Sequence, residues 1–180
     1  VYGGLPDVEF ADPSASTIGT GVRHIALHDV DEDGDVDLGV GDVSAGVAGW
    51  FSGNGGGLFG FPETVVSGET PRFVHFARVD DDASFDMLVV DEVGELAIAH
   101  GLDEGAFEEP VVVSVGTEPY ALDTADLDLD ANLDVVVVDQ ASNQVHVLMN
   151  EGAGVLSEPV AWDVGAGPRD MRLADVDGDQ

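Results

Sequence analysis

Five aspartates alternate through Asp29-Val30-Asp31-Glu32-Asp33-Gly34-Asp35-Val36-Asp37, and an apolar run starting at Leu38 follows at once. Side chains at positions 1, 3, 5 and 9 of such a loop (Asp29, Asp31, Asp33 and Asp37) can converge on one hard cation, and the carbonyl of Asp35 adds an oxygen. Ca²⁺ accepts six to eight oxygens in irregular geometry, which suits that donor set. Gly34 supplies the positive φ that so sharp a loop needs. The helical calcium hand is excluded, because it requires a bidentate Glu at position 12 between helices. That position is Val40, inside a strand-like run.

The same pattern returns three times. Arg78-Val79-Asp80-Asp81-Asp82-Ala83-Ser84-Phe85-Asp86, then Asp126-Leu127-Asp128-Leu129-Asp130-Ala131-Asn132-Leu133-Asp134, and finally Asp175-Val176-Asp177-Gly178-Asp179-Gln180 start 49, 48 and 49 residues after one another. An aromatic or leucine followed three places on by proline keeps the beat (Phe10/Pro13, Phe59/Pro62, Phe107/Pro110, Leu156/Pro159), as do Asp42, Asp91 and Asp139. The loops are unequal. The third keeps Asp126, Asp128, Asp130 and Asp134 with Asn132 at the carbonyl position. Ala131 replaces its glycine, where a left-handed backbone costs roughly 1–2 kcal/mol, so weaker binding is expected. The fourth offers Asp175, Asp177 and Asp179 and then ends. The second has Arg78 at position 1, and its guanidinium is expected to bridge to Asp80, Asp82 and Asp86 in place of a metal.

Each period must fold into something that sets one loop at a corner. Val22 to Leu27 leads into the first loop, and a nearly unbroken apolar run leaves each of the first three, as in Met87 to Val90 and Val135 to Val138. Short Val-rich runs bounded by turns predict strands covered on both faces. A third strand and a Gly/Asn turn follow, and a fourth strand begins just after the proline. Four strands per period is the arithmetic of a propeller blade. The expected fold is all-β, an incomplete β-propeller with repeats at about 1–19, 20–68, 69–116, 117–165 and 166–180. The missing blades are expected from a longer chain or another copy, since the fourth loop is cut within its motif.

The Asp-x-Asp-x-Asp-Gly-x-x-Asp loop, the Asn150 to Leu156 turn and the aromatic-x-x-Pro mark resemble FG-GAP/VCBS-type repeats, the family that includes the integrin α-subunit propeller. The resemblance covers essentially the whole chain, although a literal Phe-Gly occurs only at Phe59-Gly60. It implies a calcium-binding propeller at the cell surface or outside the cell, used for binding or adhesion to protein or glycan.

Arg23, Arg72 and Arg169 stand six residues before a loop start, with Tyr120 at that place in the third repeat. The simpler expectation is a salt bridge within or between blades, to the recurrent Asp42, Asp91 and Asp139. The sharper one is a ring of arginines at the channel mouth that holds an anion such as a uronate. The five histidines share no metal-ligand spacing, and Trp50 and Trp162 are expected to pack between blades, with an aromatic sugar platform as the alternative.

Charge narrows the field further. Thirty-seven acids face five arginines and no lysine, for a formal net charge of −32. Such a field disfavours nucleic acid and anionic lipid as partners. The hydrophobic fraction of 44% in patterned runs argues against disorder, and no run is long enough to span a bilayer. The acidic, lysine-free surface reads as adaptation to high salt. No nucleophile elbow, phosphate loop or dinucleotide fingerprint occurs, and without Lys or Cys there are no amine or thiol nucleophiles. The expectation is a non-enzymatic, calcium-stabilised binding module. The alternative is the propeller of a secreted polysaccharide lyase or hydrolase.

Overall fold

A computed structural model describes residues 19–67 and 70–178. Phe10, Pro13, Glu69, Asp179 and Gln180 lie outside the described residues. Among the described residues, twelve strands form three four-stranded antiparallel sheets, each a meander in chain order. The first sheet comprises β1 (Val22–His28), β2 (Asp37–Asp42), β3 (Val47–Gly53) and β4 (Phe59–Ser67). The second comprises β5 (Pro71–Ala77), β6 (Asp86–Asp91), β7 (Glu95–Ala99) and β8 (Val111–Ser114). The third comprises β9 (Pro119–Ala125), β10 (Asp134–Asp139), β11 (Gln144–Leu148) and β12 (Val160–Asp163). These are three blades of an incomplete β-propeller.

Side-chain alternation explains the apolar runs. Along β6, Leu88 and Val90 face the third blade, where they meet Leu122, Val135 and Val137. Met87 and Val89 point the other way, toward Trp50, Val74 and Phe76. A strand's successive side chains leave opposite faces, so a strand sandwiched between blades must be apolar at every position. These four apolar side chains of β6 are buried, each worth about 1.5–3 kcal/mol relative to exposure. The two larger core clusters therefore lie between blades, while a small third one, Leu38, Val40 and Phe51, belongs to the first blade alone. Gly39 serves the contact between blades, because a Cβ there would sit 2.5 Å from the Phe76 ring.

The inner strands are stitched together by side chains. The Val74 amide of β5 donates to Nδ1 of His24 on β1 at 3.3 Å. His75 of β5 meets the Thr124 hydroxyl of β9 at 3.1 Å. Residues 164–178 form no strand, but the Leu173 amide donates to Asp123 of β9 at 3.0 Å.

Two expectations are corrected here. The fourth strand begins after the proline in β8 and β12, yet β4 starts at Phe59 and carries Pro62 opposite Phe51. An outermost strand pairs on one side only, so the missing N–H is tolerated. Trp50 is buried as expected, whereas Trp162 is 61% exposed. It sits on β12, the strand farthest from the inner edge of its sheet.

Candidate metal centres and an arginine-lined cavity

The loop joining β1 to β2 wraps its carboxylates around its own backbone. Asp29 accepts the Gly34 amide at 3.1 Å, Asp31 accepts Asp33 at 3.2 Å, and Asp33 accepts Asp35 at 2.8 Å. Gly34 has φ +95° and Glu32 has φ +59°, so positions 4 and 6 are both left-handed. The third loop repeats this with Leu129 at +67° and Ala131 at +76°. Its Asp126 accepts Ala131 at 3.0 Å, Asp128 accepts Asp130 at 3.2 Å, and Asp130 accepts Asn132 at 2.8 Å.

Position 9 is a pin in each of the first three loops. Asp37 accepts the amides of Val30 (2.6 Å) and Gly53 (2.7 Å), Asp86 those of Val79 (2.7 Å) and Gly101 (2.9 Å), and Asp134 those of Leu127 and Asn150 (both 2.8 Å). Each carboxylate is buried and ties the loop entrance to the end of the third strand.

Donor oxygens of Asp29, Asp31 and Asp33 lie within 4.8 Å of one another, as do those of Asp126, Asp128 and Asp134. In the first loop Asp29 Oδ1 is buried with no hydrogen-bond partner. A desolvated carboxylate oxygen without a donor is costly, and a hard cation is the missing partner the residues fit. Burial, together with the like charges of Asp37, Asp33 and Asp29, holds Asp31 above the ordinary carboxylate value. Burial and Asp130 do the same to Asp128. Asp29, Asp31, Asp33 and Asp37, with the Asp35 carbonyl, would hold the ion in the first loop. In the third, Asp126, Asp128, Asp130 and Asp134 would hold it with Asn132. Bound calcium would neutralise the clustered carboxylates and fasten the loop. The Asp35 side chain lies against the Gly55 turn. Asp175 accepts the Gly178 amide at 2.7 Å beside the exposed Asp177, and Asp179 lies outside the described residues.

The second loop departs from expectation. Arg78 does not bridge to Asp80, Asp82 or Asp86. Its guanidinium pairs with Glu32 of the first loop, donates to the Ala83 carbonyl and lies 4.0 Å over the Phe85 ring. Neither Asp81 nor Ala83 is left-handed, so the backbone differs from its two counterparts. Asp80 accepts the Asp82 amide at 3.0 Å, and Asp82 accepts Ser84 at 2.8 Å. His100 takes the place expected of Arg78, with Nδ1 3.3 Å from Asp80 and 3.4 Å from Asp86. Its position directly after β7 was not marked by any histidine spacing in the sequence.

The recurrent Asp42, Asp91 and Asp139 do not pair with the arginines either. Asp42 accepts amides from Thr20, Gly21, Ser44 and Ala45, and Asp91 those of Val93, Gly94 and Glu95. Asp139 accepts those of Thr117, Glu118, Ala141 and Ser142. Burial alone would raise Asp42 and Asp139, yet the converging N–H groups outweigh it and hold both below the ordinary carboxylate value. A carboxylate just before a turn finds amides nearer than any guanidinium.

The arginines instead gather in one place. Arg23, Arg72, Arg169 and Arg172 line a single cavity of about 390 Å³ with Tyr120 and Asp170. Arg172 adds a cation that its lack of repeat spacing had hidden. Arg72 is fixed by Glu92 (2.8 Å) and Glu118 (3.3 Å) and lies 4.6 Å over Tyr120. Arg169 lies 5.8 Å from the centroid of the same Tyr120 ring, and Gln140 can accept two of its N–H groups at 3.1 Å. Arg172 meets Asp170 at 3.4 Å.

Comparison with known proteins agrees with the loop geometry where it reaches. Residues 126–180 match the family model described as FG-GAP-like repeat. That match starts on Asp126, the first acid of the third loop, and runs through the fourth. No curated protein matches the chain. Similar solved structures include the crystal structure of BBS1N in complex with ARL6DN, at 14% identity and TM-score 0.49, covering 84% of this chain and 56% of that one. Another is the Photorhabdus luminescens Tc holotoxin pore, at 19% identity and TM-score 0.41, covering 93% of this chain and 10% of that one. The chain thus spans about half the length of the first of these.

Proposed function

We propose that this chain is a propeller module, braced by calcium in its first and third loops, that binds an acidic ligand outside the cell in its arginine-lined cavity. One observation carries the reading: four of the five cationic side chains of a chain with net charge −32 face one cavity. Guanidinium groups form bidentate bonds with carboxylates, and the Tyr120 ring holds two of them in place. A uronate-bearing glycan presents carboxylates at that scale, and acidic side chains of a partner protein present the same group. Far-field repulsion from the rest of the surface fades at high ionic strength, where the Debye length falls to about 3 Å at 1 M salt. Short bonds in the cavity survive that screening.

Calorimetric titration with oligogalacturonate in molar NaCl tests the proposal. Binding is expected in the wild type and a loss of at least about tenfold in Arg169→Gln. Absence of binding to uronates and to acidic peptides would end it. A second reading rests on His24, which lines the same cavity as Tyr120 and the arginines. A base and a hydroxyl beside a neutralised carboxylate are the groups that eliminative cleavage of a polyuronate requires. Growth of ultraviolet absorbance from unsaturated products would favour the lyase over the binder.

A further inference from the structure

We propose that the second blade holds a borderline transition-metal ion of the zinc class on Asp80, Asp86 and His100, in place of the calcium its loop cannot take. The donor atoms of these three residues lie within 4.8 Å of one another. His100 Nδ1 is closed to solvent, has no hydrogen-bond partner, and stands 3.3 and 3.4 Å from two carboxylate oxygens. Those separations carry information. Two ligands about 2.0–2.1 Å from a tetrahedral zinc-type ion stand about 3.3 Å apart.

The donor set is a trade. Blades one and three have an aspartate at position 1, whereas the second blade has Arg78, which turns away to Glu32. The strand pairing places His100 next to Asp86 just as Ser52 stands next to Asp37 and Met149 next to Asp134. An imidazole therefore occurs at this place only in the blade that lost its first oxygen ligand. Nitrogen in the set favours zinc-class ions over calcium, which prefers an all-oxygen shell.

The surroundings orient the ligands. Asp86 is fully buried and held by the Val79 and Gly101 amides, the kind of outer partners that fix first ligands. Gly154 of the third blade closes over the imidazole, since a Cβ there would lie 2.4 Å from His100 Cε1. Three protein ligands with water completing the sphere is the arrangement of an open zinc site.

Titration of the intact chain with Co²⁺, with calcium saturating the oxygen-only loops, tests the site. One equivalent is expected to develop the intense visible absorption of four-coordinate cobalt, displaceable by Zn²⁺. His100→Gln should weaken Co²⁺ binding at least tenfold and abolish the band, whereas Asp29→Asn should leave it intact. Asp80→Asn, at a partly exposed position, provides a second test should His100→Gln fold poorly by circular dichroism. Lack of the band in the wild type, or its persistence in both His100→Gln and Asp80→Asn, would show that His100 merely pairs with the two carboxylates.

Discussion

Ala131 stands at φ +76° where the first loop has Gly34 at +95°, so the two loops form a natural comparison. A left-handed alanine costs roughly 1–2 kcal/mol, of which glycine recovers most, less about 0.4–1 kcal/mol for its freer unfolded chain. Ala131→Gly should therefore gain up to about 1 kcal/mol, and Gly34→Ala should lose about 1 kcal/mol, by urea denaturation. Nothing lies within 4 Å of a Cβ at Gly34, so that loss would be conformational and not steric. The left-handed place at position 6 was legible because glycine marks it. Position 4 was not, because Glu32, Leu129 and Gly178 share the left-handed backbone but no residue type. Asp139 offers a pH signature. Its folded value is depressed, so its contribution is fully present above the unfolded value near pH 3.9 and is lost as pH falls through the folded value. Asp139→Asn turns a donor toward backbone amides and should cost about 1–3 kcal/mol at pH 7. The gap from wild type, followed by thermal melts, should narrow as the pH falls below the unfolded value near 3.9.

At the scale of elements, burial decides what a sequence can reveal. β2, β6 and β10 were legible because a strand covered on both faces has no polar alternation to confuse with anything else. His100 was not, because its meaning depends on cross-strand register and on a turn from the next blade. The arginine partners were misread for a related reason: recurrence of Asp42, Asp91 and Asp139 said that they matter, and only the local turn geometry said to whom. Leu88 gives the quantitative check. It is fully buried in the cluster between the second and third blades, so Leu88→Ala should cost about 2–5 kcal/mol. Val111→Ala, on the outer strand β8 and 55% exposed, should cost under about 0.5 kcal/mol. Equal losses in chemical denaturation would contradict a core lying between blades.

For the whole molecule the dominant quantity is a net charge of −32, which destabilises any compact state through self-repulsion. Salt screens that repulsion, and calcium held in the proposed loop sites would remove it where it is densest. Melting temperature should rise steadily as NaCl is raised toward molar concentration, and a flat profile would remove the high-salt reading. At fixed salt, calcium at ten times its Kd should add about 1.4 kcal/mol per loop, or about 3–6 °C for a chain of this size. Calorimetry with and without EDTA measures it. Among the described residues no helix is long and apolar enough to cross a membrane. Four cations set in one cavity against so uniform a field are the clearest functional mark at this scale, and the sequence revealed three of them through their spacing.

The double cover of β6 also orders events in time. Amide protons exchange with solvent only when their hydrogen bonds open, and the deepest strands open last. β6 is bonded to β5 and β7 and lies under apolar side chains of both neighbouring blades. Its amides cannot be released by fraying one blade, because either neighbour left in place still covers one face. The middle of the chain thus sets the slowest clock in the molecule, and outer strands such as β12, exposed along their length, open and close many times within each of its ticks.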